Sequence, residues 1–250
     1  MAAKNRDEGD SAEAQKKPDA IGGRQRRQAP VPFRRPGMTP NALHLASPSD
    51  ETEILLGRHE IEPQHARQVA RLALRLFDDL GPVHGCGAGE RRLLECAALL
   101  HDIGWSVSGR DGRGHHKASA RLIREFPWTT LTPVEVRSVA AVARYHRKAL
   151  PDPEHEDLKG IPPANRARID WMAACLRTAD GLDRRHLQAV GDLSVRFGER
   201  RIELRVSAVG RIDEELAAAD KKSDLLRRLL DRPIDFVQET PPPGRPGPGR

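Results

Sequence analysis

Histidine and aspartate stand side by side at His101-Asp102, after the apolar pair Leu99-Leu100 and just before Ile103-Gly104. An imidazole and a carboxylate together at a helix end are two ligands for a divalent metal. The dipeptide recurs in many unrelated chains, so partners elsewhere decide its meaning. His65, His115, His146 and Asp180 supply them: each lies on or at the end of an apolar stripe with helical spacing. A polar group there is costly to bury unless it is paired or bound to a metal. A lone histidine on such a face is the ordinary hydrogen-bonded core residue. Five helices turning imidazoles or carboxylates inward have one common cause, metal coordination. Four histidines and two aspartates suit Fe, Mn, Co, Ni or Zn and differ from a thiolate-type structural zinc site. Six ligands exceed what one catalytic ion with an open position takes, so two ions bridged by Asp102 are expected.

The elements that must position these residues are read from periodicity. Order is expected to begin near Glu53. A first strong helix runs from Pro63 to Leu80 with Gly81 as its stop, burying Val69, Leu72, Leu76 and Leu80 on the His65 face. A second, from about Glu90 to Ile103, buries Leu94, Ala97 and Ala98 and continues to His101. The glycine-rich segment Ser108 to Gly114 reads as a mobile loop and a lid over the site. A third helix starts at His115-His116-Lys117, passes Leu122 and Phe126 and stops at Pro127; His115 faces in and His116 lies behind the ligands or faces solvent. Thr132-Pro133-Val134-Glu135 is a capping box that opens a fourth helix, whose stripe Val136, Val139, Ala143 leads to His146. After a connector from Leu150 to Pro163, a fifth helix carries Ile169, Met172 or Ala173, and Leu176 toward Asp180.

From Gly191 the period becomes alternating. Leu193, Val195 and Phe197 form one strand and Ile202, Leu204 and Val206 the next, a hairpin joined at Gly198-Glu199. A helix from about Asp213 to Leu230 follows, and Pro233 to Val237 returns as a third strand. The expected organisation is mainly α: a charged tail over 1–52, a helical metal-binding domain over 53–190, a small α+β module over 191–238 and a Pro/Gly-rich tail over 239–250.

Hydrophobic residues make up 38% and charged residues 31% of the 250, and no apolar run is long enough to span a bilayer, so a membrane protein is excluded. The N-terminal charges have no apolar core behind them, so no secretory signal is expected and the location is cytoplasmic. Cys86, Cys96 and Cys175 show no CxxC spacing and no disulfide framework; Cys96 and Cys175 read as small buried hydrophobes. A net charge of +6 favours anionic ligands. Nucleic acid is disfavoured: five Phe, three Trp and one Tyr leave little surface for stacking bases, although Arg24-Gln25-Arg26-Arg27 and Arg34-Arg35 are basic.

With these residues in place, the order His65, His101-Asp102, Asp180 resembles the H…HD…D signature of HD-domain metal-dependent phosphohydrolases, and His115 and His146 match the extra ligands of their two-metal members. Ala97 to Gly104, Gly114 to Lys117, Arg144 to Lys148 and Leu176 to His186 are more closely similar to the C-terminal HD-type region of the exopolyphosphatase/guanosine pentaphosphate phosphatase (Ppx/GppA) family, from about Glu53 to Val237. The resemblance implies an HD-domain helical bundle followed by the small α+β appendage, and hydrolysis of a phosphate ester or anhydride in a nucleotide or polyphosphate. It also implies two divalent ions, Fe, Mn, Co, Ni, Zn or Mg. One is held by His65, His101, Asp102 and Asp180, the other by His115 and His146 with Asp102 bridging. That family's N-terminal actin-like domain has no counterpart before Glu53, where no glycine-rich phosphate loop follows a strand, so the chemistry is expected to belong to the helical region itself.

Lys117, Arg144, Arg147, Lys148, Arg184 and Arg185 lie within a few positions of the ligands and are candidates for binding substrate phosphates, with Lys117 and Arg147 first. Asp102 is assigned a catalytic role. Asp183 is a candidate acid-base group, a carboxylate supporting a ligand, or the partner of an arginine. Two alternatives belong to other classes: a non-catalytic module that binds polyphosphate or a nucleotide, and a partner of a separate actin-like exopolyphosphatase.

Overall fold

A computed structural model describes residues 47–240. The basic clusters at Arg24 to Arg27 and Arg34-Arg35, and the sequence after Thr240, lie outside the described residues. The chain forms α1 (Pro48–His59), α2 (Pro63–Asp79), α3 (Gly81–His84), α4 (Ala88–Leu99), a 3-10 turn (Ile103–Val107), α5 (His115–Glu125), α6 (Pro133–Arg144), a second 3-10 turn (Glu156–Leu158) and α7 (Pro163–Gly181). Then come β1 (Val190–Phe197), β2 (Ile202–Ala208), α8 (Asp213–Lys222), α9 (Asp224–Leu230) and β3 (Ile234–Glu239). This is the mainly helical fold with a small α+β appendage expected from the sequence.

The core lies where α2, α4 and α7 pack together, with α6 against α4 and α7 and α5 against α6. Leu72, Leu76 and Leu80 of α2, Leu94 of α4 and Ile169 and Leu176 of α7 are fully buried. Each such side chain contributes roughly 1.5–3 kcal/mol relative to an exposed one. Cys96 and Cys175 lie among them, and burial pushes both thiols up. The capping box exists as read: Glu135 N donates to Thr132 Oγ1 at 3.3 Å and Thr132 N to Glu135 Oε2 at 2.8 Å.

Several boundaries differ from expectation. α1 starts at Pro48, ahead of Glu53. Gly81 opens the single turn α3, which Gly85 ends with φ 61°. The second helix stops at Leu99, so His101 and Asp102 lie in a turn and not on the helix. There Gly104 fits between elements: a Cβ on it would lie 2.1 Å from His115 O, and its N donates to Ser119 Oγ at 2.9 Å. The helix expected over 213–230 breaks at Ser223, whose hydroxyl turns back to Ala219 O at 2.6 Å.

The hairpin pairs β1 and β2 antiparallel in the expected faces, Leu193 opposite Val206 and Val195 opposite Leu204. β3 adds parallel to β2, with α8 and α9 as the crossover a parallel pair needs. β1 is tied to α2 by side chains: Gln68 Nε2 donates to Val190 O at 2.6 Å, Arg71 to Gly191 O at 2.8 Å and Arg75 to Leu193 O at 2.9 Å, while Asp79 accepts from Val195 N at 3.0 Å. No helix among the described residues is long and apolar enough to cross a membrane.

Candidate metal centre

The six residues singled out as ligands come together from α2, the turn after α4, the start of α5, the turn after α6 and the end of α7. They form two groups, His65, His101 and Asp180 in one and Asp102, His115 and His146 in the other, with ligand atoms inside each group within 4.8 Å of one another. Asp102 joins the groups. Its Oδ2 lies 3.6 Å from His101 Nε2, while its Oδ1 lies 3.2 Å from His115 Nε2 and 3.4 Å from His146 Nε2. His65 Nε2 is 3.7 Å from Asp180 Oδ1.

Every imidazole is held through the other nitrogen. His101 Nδ1 donates to Ala98 O at 2.7 Å, His115 Nδ1 to Gly112 O at 2.9 Å, His146 Nδ1 to Ala143 O at 2.7 Å and His65 Nδ1 to Asp183 Oδ2 at 2.8 Å. Those oxygens only accept, so the hydrogen sits on Nδ1 and the Nε2 lone pairs converge. His65 Nε2, His101 Nε2 and Asp102 Oδ1 are buried with no protein partner, an expense the fold tolerates if a cation meets them. This donor set fits divalent metal, with the outer groups that usually orient ligand histidines already present.

The electrostatics agree. Burial alone would raise the Asp102 carboxyl, but the positive charge of the imidazolium forms of His101, His115 and His146, which a bound cation would replace, holds it well below the usual range. For Asp180, burial is likewise outweighed by Lys222, which forms an ion pair with Oδ2, and by His146 and His101. Burial holds His146 well down, keeping it neutral and able to bind metal.

A cleft of about 520 Å³ opens onto Asp102, His115, His146 and Asp180. Of the expected phosphate-binding residues, Arg147, Lys148 and Arg184 line it. Lys117 is exposed and does not line it. Arg144 is buried, facing Asp157 at 3.3 Å and lying over the Tyr145 ring. Arg185 makes two bonds to Glu215 at 2.7 and 2.8 Å, which hold the buried carboxylate. Asp183 sits behind His65, on the Nδ1 side, also accepting from Gln188 N at 2.7 Å, so it supports a ligand. His116 does not face solvent: it is buried beside His115, and burial, then Arg144, push it down to about 4. Ser108 to Gly114 is fastened down, with Gly112 bonded through its N to Gly109 O at 2.8 Å and through its O to His115.

Trp105, Arg177, His186, Lys221, Lys222 and Asp224 also line the cleft and were missed from sequence. Lys221 and Lys222 reach the cleft from the last turn of α8. Arg177 is buried, donating to Tyr145 O at 2.9 Å and to Asp224, and so pins the turn that carries His146. Glu60, at the end of α1, has a buried Oε2 without partner, and burial raises its carboxyl.

Comparison with known proteins follows the same lines. The chain is 31% identical over 121 residues to the guanosine-5'-triphosphate,3'-diphosphate pyrophosphatase of Vibrio vulnificus strain YJ016, covering 48% of this chain and 24% of that protein. It is 25% identical over 166 residues to ribonuclease Y of Helicobacter acinonychis strain Sheeba and 24% identical to ribonuclease Y of Helicobacter pylori strain HPAG1, covering in each case 62% of this chain and 28% of the relative. The chain thus spans about a quarter of the length of these relatives. Residues 50–220, from α1 through most of α8 and including all six converging residues, match the model of the Ppx/GppA phosphatase, domain III, and the chain belongs to that family.

Proposed function

We propose that this chain is a divalent-metal-dependent phosphohydrolase of the HD type, holding two ions and hydrolysing a phosphate ester or anhydride of a nucleotide or polyphosphate-like substrate. The observation that carries the reading is the convergence of four Nε2 atoms and two carboxylates, with every Nδ1 tied back and three ligand atoms buried without partner. His65, His101 and Asp180 would hold one ion and His115 and His146 the other, with one oxygen of Asp102 turned to each. Bound there, divalent ions bring the pKa of a water toward neutrality and offset charge on a phosphoryl group.

The chain's own residues do the rest. Asp183 holds the His65 ring and Arg177 holds the turn bearing His146. Arg147, Lys148, Arg184 and Lys221 offer N–H donors along the cleft, which suit phosphate oxygens and fix the orientation of the substrate. Lys222 offsets the charge of Asp180.

Metal analysis of the purified protein, followed by phosphate release from nucleotides and polyphosphate and by strand cleavage of short RNA, tests the reading. RNA is in the panel because of the similarity to ribonuclease Y. D102A is expected to lose bound metal and hydrolysis together; a D102A protein with full metal content and full hydrolysis refutes the proposal. The cationic cleft also suits a module that binds polyphosphate or nucleotides without turnover, alone or beside a separate actin-like exopolyphosphatase. Tight binding with no hydrolysis of any of these substrates selects that reading.

A further inference from the structure

We propose that Trp105 and His186 are positioning residues, one for each group of ligands, stacked on a ligand imidazole to fix the plane in which its Nε2 points; the inference rests on the metal reading above. The His186 ring lies on His65, with centroids 3.8 Å apart and planes 9° from parallel. The Trp105 ring lies on His115 at 4.6 Å and 19°. Both line the cleft.

A hydrogen bond at Nδ1 leaves an imidazole free to pivot about that contact. A flat ring against its face removes that freedom, and the direction of the lone pair is then set before an ion arrives. The surroundings of each stacked ring are built to the same end. His186 has φ 57°, a left-handed conformation unfavourable for a residue with a side chain. It is held there by its N–H to Asp183 O at 2.9 Å, by Gln188 Nε2 to its carbonyl at 2.7 Å and by a bond from its Nδ1 to the Glu62 carboxylate. Trp105 follows Asp102 on the 3-10 turn and donates its N–H to Asp102 O at 2.9 Å. Its six-membered ring fills the space of an absent side chain at Gly112, where a Cβ would lie 1.9 Å from Cζ3. Gly112, with φ 59°, also gives its carbonyl to His115 Nδ1, so one residue seats the indole and aims the imidazole.

Calorimetric titration of the full chain with Mn²⁺ separates the outcomes. The wild type is expected to bind two ions. W105L, which stays apolar but is smaller and loses the flat face, is expected to weaken one binding event about 10–100-fold and spare the other, and H186L to weaken the other event by a similar factor. W105F and H186F retain a ring and are expected to stay near wild type. A leucine variant with both affinities unchanged, or phenylalanine variants as weak as the leucine ones, overturns the proposal. His186 is exposed, so H186L removes no core packing and decides the matter even if W105L fails to fold. A wild type that binds no ion refutes the metal reading itself, a result distinct from failure of the stacking argument.

Discussion

Gly181, the last residue of α7, is expected to be intolerant of alanine although it sits in a helix, where Gly→Ala usually helps. A Cβ built on it lies 2.5 Å from Ala219 Cα and 2.6 Å from Ala219 N of α8. Ordinary carbon contacts fall at about 3.5–4.0 Å, so the two helix backbones must separate by about 1 Å. The obstacle is main chain and has no rotamer to change. Overpacking of this kind costs about 1–3 kcal/mol, against a gain of about 0.5–1 kcal/mol from helix preference and lost chain entropy. The net expectation for G181A is a loss of roughly 1–2 kcal/mol, or a Tm lower by about 2–8 °C for a chain of this size. Gly57 in α1 is the control: a Cβ there meets nothing within 4 Å, so G57A should gain about 0.5–1 kcal/mol. Paired urea melts of the two variants measure both signs. G181A as stable as the wild type, or more so, refutes the close α7–α8 crossing and with it the placement of Lys221 and Lys222 at the cleft.

Asp170 gives a pH test. Burial pushes its carboxyl up to about 6, with Arg228 opposing. The folded pKa exceeds the unfolded one, so this stabilising contribution is complete below about 4 and is lost as pH rises through about 6. D170N should therefore gain on the order of 1 kcal/mol at about pH 7.5, allowing for solvent screening, and nothing near pH 4, by thermal melts. The adjacent arginines should part company: R184A, in the cleft, should raise KM for a phosphate substrate without lowering Tm, and R185A, which strips a buried Glu215 of its partner, should lower Tm without raising KM.

The convergence of these six residues was legible in the sequence because they lie on or at the ends of apolar stripes. Val69, Leu72 and Leu76 fix which way α2 faces, and His65 follows; Val139 and Ala143 do the same for His146. The hairpin was legible from its alternation. Beyond Arg147, Lys148 and Arg184, the walls of the cleft were not. His186 and Gln188 take left-handed backbone without being glycine, so no propensity announces the turn they make. The α7–α8 crossing depends on two small residues far apart in sequence, Gly181 and Ala219, and a Cβ clash is invisible until both helices are placed. Lys117 and Arg185 were drawn in by nearness along the chain alone. Neighbours along the chain point in different directions, and in the turn after α7 Arg185 goes to Glu215 while Arg184 lines the cleft.

A local rule explains why histidine rather than another ligand type recurs at these positions, and it bears on Asp183. The last carbonyls of a helix lack an intrahelical donor. His101 and His146 each stand three residues beyond such a carbonyl, Ala98 of α4 and Ala143 of α6, and each satisfies it with Nδ1. His115 does the same to Gly112, in the turn before α5. In all three the bond that ends or precedes a helix also fixes the tautomer, so capping and ligand orientation are one interaction encoded within four residues of sequence. His65 does not use it: it lies in the first turn of α2, and Glu62 O there accepts from Ala66 N. Its Nδ1 must find an acceptor from elsewhere, and Asp183, just past the end of α7, supplies it at 2.8 Å. Asp183 is thus the distant replacement for a carbonyl the other three histidines find locally, which is why a carboxylate three residues after Asp180 sits behind the candidate metal centre instead of in the cleft.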